Sequence, residues 1–148
     1  MFYNRILLIA FIAWLCAQVS KTIIHLIIHK KLVWERMFGD GGMPSAHSAI
    51  VASVATATGI ECGLESPLFA VAVILAVIVM HDAVGVRQET GKQAKVINSM
   101  LELFSSLESG KLTPEETLKE FVGHTGRQVI AGALVGIATA LILNLILP

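Results

Sequence analysis

Apolar residues fall into four long runs, and polar residues gather in one stretch between the third and fourth. The runs cover residues 6–28, 45–60, 67–86 and 125–147, each near the roughly 20 residues that cross a bilayer as a helix. A lone strand would leave its backbone polar groups unpaired in hydrocarbon, so each run is predicted to be helical. The second run differs from the others, being built from Ala, Ser, Thr, Val and Gly. Within it Ala49, Ser53 and Ala57 recur at helical spacing, giving a small-residue face for close packing. It is the expected central helix. The polar segment, 87–123, contains a helical stripe of Ala94, Ile97, Leu101, Phe104 and Leu107, with Glu89, Lys92, Lys95, Glu102 and Ser106 mostly off it. That pattern predicts an amphipathic helix on the membrane or against the bundle. In "LTPEETLKE", Thr113, Pro114 and Glu116 have the order of a capping box that starts a short helix.

The expected fold is therefore all-α: one membrane domain over 1–148, with about four transmembrane helices and an amphipathic helix between the third and fourth. Composition agrees with this. Of the 148 residues 55% are hydrophobic and 15% charged, against about 25% charged in soluble domains. Net charge is zero, which gives no support for nucleic-acid binding. The first run continues past Lys21 as "TIIHLII" without a small-residue cleavage site, so it reads as a retained span, not a leader. Cys16 and Cys62 are expected to be inert core thiols.

With four spans, the loop 30–47 and the segment 87–123 face one side, and the chain ends with "ECGLESP" face the other. Of eleven Lys and Arg residues, all but Arg5 and Lys21 lie between Lys30 and Arg127. The positive-inside rule then puts the polar side in the cytoplasm of a plasma or inner membrane.

The candidate chemistry collects on that side. Gln18, Lys21 and His25 share a face of the first helix, and an ionisable group within a span marks a functional site by default. In "GGMPSAHSA", Gly41 and Gly42 allow close backbone approach, Pro44 sets the chain before a helix, and Ser45 is a good N-cap. A helix start of this kind suits a phosphate, and His47 in its first turn could protonate a leaving oxygen. "HDAVGVRQETGKQAKVIN" follows the third run. Asp82 sits at membrane depth and needs a histidine or arginine partner, while Arg87 could grip two phosphate oxygens. His81 and Asp82 lack the further carboxylates of a metal site, so no metal is expected. "GHTGRQ" places His124 between glycines at the last helix start, where an imidazole could attack phosphorus.

"PSAH" resembles the "PSGH" motif of the type 2 phosphatidic acid phosphatase superfamily, relatives of the vanadium haloperoxidases. Gln18 with Lys21, "GGMPSAHSA", "DAVGVRQETGKQAKVIN" and "LKEFVGHTGRQV" together resemble its divergent branch of small membrane proteins over nearly the whole chain. The resemblance implies a lipid phosphate or pyrophosphate phosphatase that uses no metal or other cofactor and works through a phosphohistidine. It makes His124 the nucleophile and His47 the acid. Lys21 and Arg87 become phosphate ligands, Gly42, Ser45 and Ala46 backbone contacts, and Arg127 a further ligand. Gln18, Gln93, Asn98, Gln128 and Glu120 become supporting polar residues. Two departures accompany it. The superfamily carries an orienting aspartate four residues after the nucleophile, where this chain has Gln128; Asp82 or Glu120 could replace it. The superfamily's arginine near the nucleophile has no local counterpart, since Arg87 is distant in sequence. Four spans in place of six also leave a thin site, which a homodimer could complete. The readings in competition are a catalytically weak relative that binds or moves anionic lipid or phosphate, and a purely structural bundle.

Overall fold

The computed structural model describes residues 4–30, 42–107, 118 and 124–147, the side chains of 29, 87, 88 and 104–107 excepted. Among the described residues five helices run in the order α1 (Arg5–His29), α2 (Ala46–Cys62), α3 (Pro67–Val84), α4 (Val86–Leu107) and α5 (Gly126–Ile146). No strand occurs among the described residues.

Local sequence sets the helix ends. Asn4 caps α1 by accepting the Leu7 N–H, and Ser66 caps α3 by accepting the Phe69 N–H ahead of Pro67 in the first turn. Ser45 caps α2, its Oγ accepting the Ser48 N–H at 3.4 Å and the Ser48 hydroxyl at 3.0 Å. The Met43–Pro44 peptide just before it is cis. Only Gly85 separates α3 from α4, and the Glu89 N–H bonds back to the Gly85 carbonyl. The expected start in residues 113–116 lies outside the described residues.

Helix packing is inverted relative to a soluble protein. The interior holds Ala, Gly and Ser, while Phe11, Ile27, Val71, Ile78, Ile130 and Leu134 face outward. Lipid supplies no hydrophobic drive between helices, so association rests on close backbone approach and outward apolar bulk. Among the described residues three helical stretches, Arg5–Ile28, Pro67–Leu103 and Gly126–Ile146, are long and apolar enough to cross a bilayer. The 17-residue α2 lies among them and packs against α1, α3 and α5, as its small-residue composition predicts. The fold is a membrane helical bundle.

One local expectation is made specific and another differs. On α4 the inward positions are Gly91, Ala94 and Asn98, with Leu101 half-buried, while Ile97 is exposed. Close packing selects small residues, and Asn98 has a specific partner in Leu118, so the largest apolar side chains do not mark the buried face. Cys16 and Cys62 are free thiols on the surface of the bundle, not in its core.

The end of the bundle opposite the histidines is tied by Arg5. Its Nη2 donates to the Asn144 carbonyl at 3.0 Å, to Asn144 Oδ1 at 2.9 Å and to the Leu147 carbonyl. Its Nε lies 3.7 Å from Glu61 Oε1 at the end of α2. The start of α1 and the ends of α2 and α5 therefore meet at one end.

Candidate functional site

At the other end the starts of α2 and α5 converge, and glycine makes this possible. A Cβ on Gly132 would collide with the Ser45 carbonyl, and one on Gly136 with the Ala49 carbonyl a turn further down. Ala140 continues the stripe against Ala57. The Gly132-x-x-x-Gly136 spacing of "GALVG" is a sequence signal for such a close crossing and complements the small-residue face of α2. The crossing is also pinned by a backbone bond, Ser45 N–H to the Gln128 carbonyl at 3.0 Å.

This arrangement brings His47 and His124 together, with ring centroids 6.1 Å apart and planes inclined at 60°. His47 is half-buried in the first turn of α2; His124, 3% exposed, immediately precedes the N-cap of α5. Both residues thus belong to helix starts, where oriented first-turn N–H groups concentrate positive potential. The His124 N–H donates to the Ala83 carbonyl at 3.0 Å, which fastens the loop before α5 to the end of α3, beside half-buried Asp82.

Gln128 occupies the position where a carboxylate would orient the histidine. Its Oε1 accepts the Thr125 N–H at 3.0 Å, the side-chain arm of a capping box, and lies 3.3 Å from His124 Nδ1. The departure noted in sequence is therefore one of charge, since a hydrogen-bond acceptor still stands at that place.

Lys21 enters from α1. The inward stripe of that helix runs Ile9, Ala13, Ala17, Lys21, and Lys21 is only 4% exposed. Ala17 packs on Ala46 and Ala49 at the start of α2, so the next inward position lies toward the histidine end. There its stem passes Gly42, whose backbone has φ +90° and whose missing Cβ would approach Lys21 Cγ at 3.3 Å. A side chain at Gly42 would be strained and would crowd the lysine. Gln18 and His25, flanking Lys21 on the same face, are half-buried, and Gln18 Oε1 is shielded from solvent.

The Ser45 N–H is engaged by Gln128, which takes it out of the set of backbone donors for a phosphate and leaves the first-turn N–H of Ala46. The Asn98 amide pairs with both backbone groups of Leu118, donating to its carbonyl at 2.8 Å and accepting its N–H at 2.9 Å. That makes Asn98 a tie between α4 and the chain ahead of α5, in place of the supporting polar residue expected at the site. Gln93 and Arg127 are exposed. Arg87 lies in the first turn of α4, its side chain outside the described residues, as is Glu120. Among the described residues no three His, Cys, Asp or Glu side chains cluster as metal ligands do.

Comparison with known proteins agrees with the motif-bearing segments. The chain is 41% identical over 148 residues to the uncharacterized membrane protein YuiD of Bacillus subtilis, covering 95% of this chain and 94% of that protein. No solved structure matches. A model of the Divergent PAP2 family matches residues 2–139, a span that takes in α1 to α4, both histidines, Lys21 and Gln128, and the chain belongs to that family of membrane proteins.

Proposed function

We propose that the protein is a membrane-embedded phosphatase that removes a phosphoryl group from a lipid phosphate or pyrophosphate through a phosphohistidine. The observation that carries this reading is the pair of imidazoles 6.1 Å apart on two converging helix starts, with buried Lys21 at the same end. Two neighbouring imidazoles can divide one displacement between them, one attacking phosphorus and the other protonating the departing oxygen.

In the first step, His124 Nε2 donates its electron pair to phosphorus. The bond from phosphorus to the lipid oxygen breaks, and that oxygen takes a proton from His47, leaving as an alcohol or, from a pyrophosphate, as a lipid monophosphate. In the second, His47 accepts a proton from water as the water oxygen attacks the phosphohistidine. The P–N bond breaks, its electrons return to His124, and inorganic phosphate departs. Lys21, Arg87 and Arg127 supply positive charge to the phosphoryl oxygens, and the Ala46 N–H and the two helix starts add oriented dipoles. The helices facing lipid hold the tail in the bilayer and leave the head group at the polar end. The concentration of Lys and Arg between Lys30 and Arg127 supports a cytoplasmic site with both chain ends on the far side.

The test is phosphate release from detergent-solubilised protein, with phosphatidic acid and a polyprenyl pyrophosphate as substrates and a chelator present. His124→Ala and His47→Ala are each expected to lower kcat by about 10³-fold or more. Release that is unaffected by either change rules the mechanism out. Lipid binding that survives both changes, with turnover absent in the wild type, would favour a carrier of anionic lipid.

A further inference from the structure

We infer that Gln128 is the positioning residue of His124, holding the ring in its Nδ1–H tautomer by a neutral hydrogen bond where a carboxylate would bring charge. The bearing of this on catalysis rests on the phosphatase reading; the tautomer itself does not.

The inference follows from which groups can donate. The Thr125 backbone N–H can only donate, so the Gln128 atom 3.0 Å from it is the amide oxygen. That same oxygen stands 3.3 Å from His124 Nδ1. A carboxamide oxygen can only accept, so Nδ1 carries the proton. A neutral imidazole has one N–H, and the lone pair therefore belongs to Nε2, across the ring. The capping interaction of α5 thus selects the tautomer.

The frame around this pair is fixed on both sides. The His124 N–H is bonded to the Ala83 carbonyl, and the Gln128 carbonyl accepts the Ser45 N–H. The ring is buried and its partner half-buried. Rotation of either side chain would cost a hydrogen bond without altering the backbone, so the orientation is built in before any ligand arrives.

The amide differs from a carboxylate in one respect. Each accepts the Nδ1 proton and turns Nε2 toward nucleophilic duty, but only a carboxylate also stabilises positive charge on the ring. A phosphorylated ring therefore gains no counter-charge from this partner. Orientation and charge, combined in one residue when an aspartate is used, are separated here.

The experiment is nitrogen-15 correlation spectroscopy of ring-labelled histidine in nanodisc-embedded protein, with the His124 signals assigned by their loss in His124→Ala. Wild-type protein is expected to show a protonated Nδ1 and an unprotonated Nε2 at a pH where the ring is neutral. Gln128→Ala should shift the proton toward Nε2, the tautomer an unsupported histidine prefers, and Gln128→Glu, which keeps an acceptor of the same reach, should restore Nδ1–H. A wild-type proton on Nε2, or a tautomer unchanged in Gln128→Ala, overturns the inference. Phosphate release measured on the same samples separates the two claims. Gln128→Ala should lower kcat by about 10²-fold with little change in KM. The expected tautomers without turnover in any variant would leave the positioning relationship standing and remove the phosphatase reading. Turnover with an unresponsive tautomer would do the reverse.

Discussion

Gly132 of α5 rests against the carbonyl of Ser45 at the start of α2, at a separation that admits no Cβ. The contact joins packing to chemistry, because Ser45 and Gln128 are bonded through their backbones just beyond it and each lies close in sequence to one of the two histidines. Gly132→Ala must push the helix starts apart. It is expected to destabilise the protein by about 1–3 kcal/mol, as overpacking does, and to lower phosphate release more than stability alone explains. Gly126→Ala, with open space around its Cβ, should stay within about 0.5 kcal/mol of wild type. Thermal unfolding in detergent beside activity at low temperature measures both.

Lys21 ends an inward stripe of otherwise small or apolar residues. A charged group kept at that depth has its best use on an anion. Lys21→Met should reduce kcat/KM by roughly 10- to 100-fold, the worth of one charge-assisted hydrogen bond. Vanadate binding should weaken by a similar factor. Unaltered kcat/KM and vanadate affinity would remove Lys21 from the phosphate ligands.

Arg5 lies at the other end and joins three helices. Arg5→Ala leaves the Asn144 side chain and carbonyl without that donor, and a loss of about 2–4 kcal/mol is expected. Because the histidines lie at the opposite end of α2, kcat at low temperature should remain near wild type. A fall in kcat without a fall in unfolding temperature would contradict the division between a tied end and a working end.

Asn98 holds both backbone groups of Leu118. Asn98→Leu removes both bonds, so the Leu118 amide should exchange with deuterium much faster. The cost to stability should be about 1–3 kcal/mol. Unchanged exchange at Leu118 would restore Asn98 to the list of possible site residues.

The spans and the Ser45 cap were legible because their causes are local: apolar runs, and a serine directly before a helical segment. The two histidines were legible as helix-start residues for the same reason. Other features depend on which helix meets which. Spacing placed Ala49, Ser53 and Ala57 on one face, but only the crossing with Gly132 and Gly136 explains why His47 and His124 become neighbours. Gln128 looked like a lost carboxylate, since a residue type reveals charge and not the oxygen's position. Asn98 was read toward the site because its pairing with Leu118 spans two distant segments. The stripe on α4, read as facing the membrane or the bundle, divides between the two: Ala94 faces in and Ile97 faces out. In a bundle bathed in lipid, bulk faces outward and small residues face in.

Direct detection of the covalent intermediate bears most closely on the central proposal that two imidazoles act on one phosphoryl group. Protein mixed with phosphorus-32-labelled lipid phosphate, quenched in alkali and digested, should yield an acid-labile label on the peptide that contains His124. The label should be absent in His124→Ala and should persist longer in His47→Ala, where the second step has lost its base. Phosphate release with no label on His124, or with the label on another residue, would contradict the account.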